Sequence, residues 1–156
     1  MEKCDNIIPA RLNLGCGNDY KVGFWNVDCG DCKKDQHVNL NKPLSLPSNH
    51  FEYVYACQVM EHITKEKFFD IFKELHRILK PDGILDIRVP KAGSDNFWTD
   101  PTHTMPFTYR TMDFLIEGKP LRENGKIYGA DYSFIEDETV KEDGNETLYF
   151  KLRKGL

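Results

Sequence analysis

The feature that most constrains the fold is a strand–helix–strand pattern between residues 51 and 89. Residues 51–56 are rich in aromatic and β-branched side chains, which is typical of a β-strand. In residues 65–79 apolar side chains recur at three- and four-residue steps, and this period predicts an amphipathic helix whose start Thr64 can cap. Residues 81–83 form a turn signal, and residues 84–89 read as the next strand. Two strands joined through a helix predict a parallel sheet.

Shorter strand patterns occupy residues 11–14, 24–28 and 37–40. Thr108 can cap a short helix that runs to residue 116, with Gly118 placed to end it. Strands near residues 126–135 and 146–152, joined around residues 142–145, suggest an antiparallel hairpin. We therefore predict a single, shortened α/β domain over residues 1–156: a Rossmann-like, mostly parallel sheet with helices on both faces and a C-terminal antiparallel hairpin.

Charge and hydropathy limit the partners that we expect. The formal net charge is -4 and the isoelectric point is near 5.7, which makes nucleic acid an unlikely partner. Residues 1–6 contain no apolar leader, and no run approaches the about 18 consecutive apolar residues of a membrane span. We expect a cytoplasmic protein without a membrane partner, and the oligomeric state is left open.

The five cysteines are Cys4, Cys16, Cys29, Cys32 and Cys57, an odd number that favours reduced thiols. Cys29 and Cys32 have C-x-x-C spacing, and His37 follows closely. A closed zinc site needs four ligands and a second pair is missing, so we expect no metal.

Polar or glycine-bearing residues follow the first three strands. Gly15 and Gly17 follow the first strand, Asp28 ends the second, and Asn39 with Leu40 ends the third. In open α/β sheets such strand ends bind ligands, and a carboxylate there can accept both hydroxyls of a ribose. The interval from the glycines to Asp28 is shorter than the about 20 residues of a dinucleotide fingerprint, whose third glycine is also missing. A dinucleotide oxidoreductase is therefore disfavoured.

Several of these segments together resemble a known family. Residues 12–17, 26–28, 46–54, 61–63 and 75–83 resemble, in order and spacing, the motifs of class I S-adenosylmethionine-dependent methyltransferases. The resemblance covers most of residues 11–90, and residues 100–108 are similar to a loop in small methyltransferases associated with glycan or surface-polymer loci. It implies S-adenosylmethionine as the cofactor and methyl transfer as the activity.

The resemblance also implies which residues bind the cofactor. The segment Gly15, Cys16 and Gly17 faces the methionine and ribose portion, Asp28 holds the ribose hydroxyls, and Gln58 lies near the methionine end. Asn39 stands, beside Leu40, where the family usually has an aspartate that contacts adenine. The usual helix between the glycine loop and the ribose-binding acid is missing, because residues 18–24 are too few to form it.

Candidate catalytic residues lie after the fourth strand and in the long polar loop of residues 91–106. If the acceptor is a hydroxyl, a histidine within hydrogen-bond reach can remove its proton, and His103 and His62 are the candidates. Asp100 is a candidate to orient the base or to bind the acceptor. Each histidine also has a purely structural interpretation.

The aromatic residues Phe97, Trp98 and Phe107 flank the loop, and their faces suit sugar rings. The Asn-Pro-Pro-Tyr type of segment that accompanies amino-group methylation in related families is missing from the sequence. We therefore expect a hydroxyl-bearing small-molecule or glycan acceptor. The alternative is a regulatory module that binds S-adenosylmethionine without catalysis.

Overall fold

The computed structural model describes residues 7–156, so the expectations for residues 1–6, including Cys4, lie outside the described residues. Seven strands form one sheet in the order β3-β2-β1-β4-β5-β7-β6. They are β1 (Arg11–Leu14), β2 (Trp25–Asp28), β3 (Gln36–His37), β4 (Phe51–Cys57), β5 (Leu79–Pro90), β6 (Phe134–Glu142) and β7 (Thr147–Lys154). Strands β1 to β5 pair in parallel, and β7 is antiparallel to both β5 and β6. This confirms the predicted mostly parallel sheet with a C-terminal antiparallel hairpin.

The helices are α1 (Phe68–Ile78), α2 (Asp95–Thr99) and α3 (Arg122–Ile127), with 3₁₀ turns at Met60–His62, Lys65–Lys67 and Thr111–Phe114. The apolar residues of α1 are buried against the sheet, as its period predicts. The predicted cap is wrong, because Thr64 precedes a 3₁₀ turn and its side chain makes no capping hydrogen bond. Within residues 7–156, none of the helices has the length and apolar character that a membrane crossing requires.

Strand β5 begins earlier than predicted. Leu79 already has extended backbone and pairs with Phe51, whereas we placed the start of the strand at residue 84. The predicted turn survives as an irregularity inside the strand, where Asp82 has φ 63° and the register shifts between Phe51 and Tyr53. Helix α1 therefore passes directly into the strand that it packs beside.

The C-terminal third differs most from the prediction. The helix expected over residues 109–116 is only the 3₁₀ turn Thr111–Phe114, although the Thr108 hydroxyl does accept a hydrogen bond from the Arg110 N–H at 3.3 Å. Helix α3 occupies the start of the segment predicted as a strand from residue 126, and β6 begins only at Phe134. The third strand, expected over residues 37–40, is reduced to Gln36–His37. Tertiary packing here overrides weak local propensity.

The two faces of the sheet have different surroundings. One face carries Leu14, Ala56, Ile87 and Phe150, which align across neighbouring strands and lie in the core with α1. The other face carries half-buried polar and aromatic side chains, such as Arg88, whose guanidinium lies 5.0 Å from the Tyr55 ring and 5.2 Å from the Tyr149 ring. Helix α1 packs on the apolar face. In the described part of the chain, the connections from β1 to β2, from β2 to β3 and from β3 to β4 contain no helix.

Candidate active site

The carboxyl ends of neighbouring strands surround a cavity of about 270 Å³. Its lining residues come from the ends of four strands and include Gly15, Gly17, Asp28, Asn39, Leu40 and Gln58. Six of the seven residues that the sequence pointed to for the cofactor therefore lie around one cavity. The seventh, Cys16, is buried under the glycine loop, and its thiol donates to the Lys33 carbonyl at 3.6 Å.

The two glycines of the glycine loop, Gly15 and Gly17, are suited to their positions for different reasons. Gly15 has φ 66°, and a Cβ at this position would lie 2.2 Å from Cγ2 of Val59, so both the backbone and the packing require glycine. Gly17 has φ 47°, but nothing lies within 4 Å of a Cβ added there. A ligand in the cavity can therefore approach the backbone at Gly17.

Asp28 is held by the loops on both sides of it. Its Oδ2 accepts from the Gly17 N–H at 2.9 Å, and its Oδ1 accepts from the Gly30 N–H at 2.6 Å. Each carboxylate oxygen has a further lone pair with which to accept a ligand hydroxyl. Asn39 stands where the resembled family usually has an aspartate, and its Oδ1 accepts a hydrogen bond from the Asn41 N–H at 2.9 Å.

Two buried asparagines, which sequence reasoning missed, organise the short connection between β1 and β2. The Asn26 side chain donates to the carbonyls of Lys21 and Phe24, both at 2.9 Å, and its Oδ1 accepts from the Lys21 N–H at 2.8 Å. Asn13 donates to Asn26 Oδ1 at 2.9 Å and to the Asp19 carbonyl at 2.7 Å. These bonds satisfy loop backbone groups that a helix would otherwise satisfy internally. Their sequence signal is an asparagine next to buried apolar residues in each of the strands β1 and β2.

Glu61, His62 and His103 form a cluster beside the cavity, which we call the Glu61 cluster. One potential ligand atom from each residue lies within 4.8 Å of those of the other two. The rings of His62 and His103 meet edge to face with centroids 4.7 Å apart. His62 also lines the cavity, so it connects the cluster to the site formed by the strand ends.

The Glu61 carboxylate is the most unusual group of the cluster. Its side chain is 0% exposed, and neither oxygen has a hydrogen-bond partner. Burial raises the pKa of Glu61 to about 7, because a carboxylate without solvent or a partner is costly to ionise. Burial also lowers the pKa of His62, and the neighbouring His103 lowers it further.

His103 is held from both sides of its ring. Its Nδ1 donates to the Phe97 carbonyl at 2.8 Å. Its Nε2 lies 3.8 Å from Oε1 of Glu61 and 3.6 Å from Oδ2 of Asp100. Asp100 in turn accepts from the hydroxyl of Thr102 at 2.7 Å, and that hydroxyl lies 3.0 Å from Nδ1 of His62. The three predicted catalytic residues are thus brought together, and His62 is the one among them that lines the cavity.

Glu61 belongs to the motif of residues 61–63, but the sequence analysis does not predict it as a site residue. The signal that could have identified it is an acid between the apolar residues Met60 and Ile63, next to His62. Phe107, which we expected near the acceptor, is instead buried in the core. Phe97 packs against His103, whereas Trp98 is 71% exposed.

The cysteines group differently from their sequence spacing. Cys16, Cys29, Cys32 and Cys57 are all free thiols. A ligand atom from each of Cys16, Asp28 and Cys32 lies within 4.8 Å of the others, so Cys32 approaches Cys16 rather than forming a set with Cys29 and His37. Burial, followed by the neighbouring Cys32, raises the pKa of Cys16 to about 12, which disfavours the thiolate that a metal would need.

Comparison with known proteins also indicates a methyltransferase. Residues 16–87 match the family model of a methyltransferase domain, and no curated protein matches the chain. A methyltransferase from Archaeoglobus fulgidus has a TM-score of 0.60 and 17% identity, with 94% of this chain and 86% of that chain covered. One from Methanosarcina mazei has a TM-score of 0.62 and 16% identity, with 94% and 92% covered.

A Haemonchus contortus phosphoethanolamine N-methyltransferase, solved with S-adenosylmethionine, has a TM-score of 0.61 and 13% identity, with 96% of this chain and 49% of that chain covered. Identities this low establish a shared fold, and the family match adds the sequence motifs of residues 16–87. Together with the strand order and the glycine loop opposite Asp28, these findings support a class I S-adenosylmethionine-dependent methyltransferase.

Proposed function

We propose that the cavity binds S-adenosylmethionine with its ribose at Asp28 and its methionine end toward Gln58, and that the methyl group passes to a hydroxyl of a small-molecule or glycan acceptor. The observation that carries this proposal is the double position of His62. It lines the cavity and belongs to the Glu61 cluster. Groups able to take up or polarise a hydroxyl proton therefore lie where the cofactor would end.

The residues around the cavity fit the cofactor. Open space beside Gly17 admits a ligand to the backbone, and the Asp28 carboxylate, held by two N–H groups, is oriented to accept hydroxyls. Bound S-adenosylmethionine supplies a methyl group on a sulfonium. The contribution of the chain is to align the acceptor and to exclude water.

The surroundings of the Glu61 cluster support a hydroxyl acceptor with a flat or apolar portion. A hydroxyl must lose its proton to act as a nucleophile, and histidines and a carboxylate are suited to that step. The exposed ring of Trp98 offers a face of the kind on which sugars stack. Met105 and Pro106, shortly after His103, line an open apolar groove of about 410 Å³ together with Phe69 and Phe114.

Calorimetric titration with S-adenosylhomocysteine tests the cofactor site. Asp28→Ala should weaken binding by about 1.5–3 kcal/mol, the range for hydrogen bonds to a charged group. Asp31→Ala is the matched control, because Asp31 is exposed three residues further on and does not line the cavity. Equal affinity for the two variants, both folded by circular dichroism, would remove Asp28 from the site.

Single-turnover methyl transfer with a panel of hydroxyl and amine acceptors tests the reaction. With a hydroxyl acceptor, His62→Ala and His103→Ala should each lower the rate by about 10²–10⁴-fold. His103→Ala should also leave the affinity for S-adenosylhomocysteine nearly unchanged, because His103 does not line the cavity. Transfer to amines alone would contradict the proposed acceptor. Loss of cofactor affinity together with rate in His103→Ala would mean that this histidine acts structurally.

A further inference from the structure

The Glu61 cluster contains a buried carboxylate that has no hydrogen-bond partner. Glu61 is fully buried, and both of its oxygens lack a hydrogen-bond donor. Buried carboxylates are ordinarily paired, hydrogen-bonded or bound to a metal. The nearest ring nitrogen, His103 Nε2 at 3.8 Å, is beyond hydrogen-bonding distance. A positive charge between Glu61 and His103 Nε2 would compensate the buried carboxylate.

The hydrogen bonds of the two histidines make them suitable metal ligands. The Phe97 carbonyl can only accept, so Nδ1 of His103 carries a hydrogen; in the neutral form of the ring, Nε2 has a lone pair available to a metal and faces Glu61 and Asp100. The hydroxyl of Thr102 donates to Asp100, so it accepts from Nδ1 of His62. Metal-binding histidines characteristically donate their second ring N–H to an oxygen in this way.

The spacing of the three residues is close to that of a coordination shell. Their ligand atoms lie within 4.8 Å of one another. Zinc bonds of about 2.0–2.1 Å in a tetrahedral shell place ligand atoms roughly 3.4 Å apart. His103 Nε2 and Glu61 Oε1, now 3.8 Å apart, need only a small side-chain rotation to reach that separation. Two histidines and a glutamate that leave one position open are also the donor set of many catalytic zinc sites.

We propose that Glu61, His62 and His103 bind a divalent transition-metal ion beside the methyl-transfer cavity. Its role in catalysis rests on the proposed function, whereas its binding does not. A hydroxyl coordinated at the open position has a lowered pKa. Its O–H bond breaks with release of the proton to water, and the oxygen then forms the C–O bond as the methyl–sulfur bond breaks. Asp100, with Oδ2 at 3.6 Å from His103 Nε2, is a second carboxylate at the edge of the site.

Zinc titration of chelator-treated protein tests the binding without any acceptor. The Cys29→Ser/Cys32→Ser double variant serves as the parent, so that zinc cannot bind at Cys16 with Cys32. Isothermal calorimetry should show one zinc per chain. Glu61→Gln and His103→Ala should each weaken this binding by about a hundredfold or more, beyond the effect of losing an outer-shell partner. Glu66→Gln is the matched control, because Glu66 is exposed in the following turn.

The change in melting temperature on adding zinc provides a second readout. It compares each variant with itself, so a variant that is less stable without zinc can still be tested. Zinc should raise the melting temperature of the parent and of Glu66→Gln, but not that of Glu61→Gln. Failure of the parent to bind zinc would overturn the proposal, and the cluster would then be a proton-sharing acid–histidine group. Equal zinc affinity in Glu61→Gln would overturn it as well. S-adenosylhomocysteine titration of the same variants reports on the cofactor site, so failure of the proposed function is seen separately.

Discussion

Gly15 provides a direct test of how the glycine loop is built. Gly15→Ala introduces a Cβ at a position with φ 66°, and the added atom would lie 2.2 Å from Cγ2 and 2.6 Å from Cβ of Val59. Left-handed backbone costs an L-residue about 1–2 kcal/mol. Overpacking against a β-branched side chain adds about 1–3 kcal/mol. We therefore expect the free energy of unfolding to fall by about 2–5 kcal/mol, a large part of the stability of a domain of this size.

Gly17→Ala is the matched control, because Gly17 also has positive φ but has no atom within 4 Å of the added Cβ. Its cost should be the backbone term alone, about 1–2 kcal/mol. Urea unfolding of both variants without ligand, followed by circular dichroism, measures the difference. Equal losses for the two glycines would show that Val59 yields freely and would refute the packing argument.

Three other variants test the loop, the core and the thiols. Asn26→Ala should destabilise the fold by about 1–3 kcal/mol, because it leaves loop N–H and C=O groups without partners, and an unchanged urea midpoint would contradict this. Phe72→Ala should cost about 3–5 kcal/mol, since Phe72 is fully buried between α1 and the sheet; a loss below about 1 kcal/mol would mean that the core collapses around the gap. Cys29→Ser/Cys32→Ser should keep the melting temperature in metal-free buffer, because both thiols are free and neither belongs to the core; a clear decrease would show a structural role for the pair.

Local sequence patterns determined the outline of the fold and much of the cavity. The period of residues 68–78 and the β-branched strand beside it specify a strand–helix–strand unit, because the side-chain repeat of each element is visible in a short segment. Gly15 and Gly17 could be predicted because they come soon after β1, and Asp28 because it ends β2, since parallel strands bring their carboxyl ends to one edge of the sheet. The missing helix before β2 was predictable from chain length alone.

Tertiary structure decided the extent of the weaker elements and the faces of the sheet. Residues 111–114 form a 3₁₀ turn, and residues 122–127 form a short helix, because packing and long-range pairing outweigh local propensity in segments this short. The tertiary structure also decides which face of the sheet α1 covers. Buried and half-buried residues alternate over residues 54–57 of β4. This alternation distinguishes two faces of the strand but does not show which of them a helix covers.

The Glu61 cluster depends most on the tertiary structure. By itself the sequence placed an acid beside His62 and a histidine in a later loop, and it led us to expect no metal, since only the cysteines had recognisable ligand spacing. Only the fold brings His103 to Glu61, which is distant in sequence, and only the fold removes water and hydrogen-bond donors from the carboxylate. Burial and the absence of a partner are properties of the surroundings of a residue, and no local pattern encodes them.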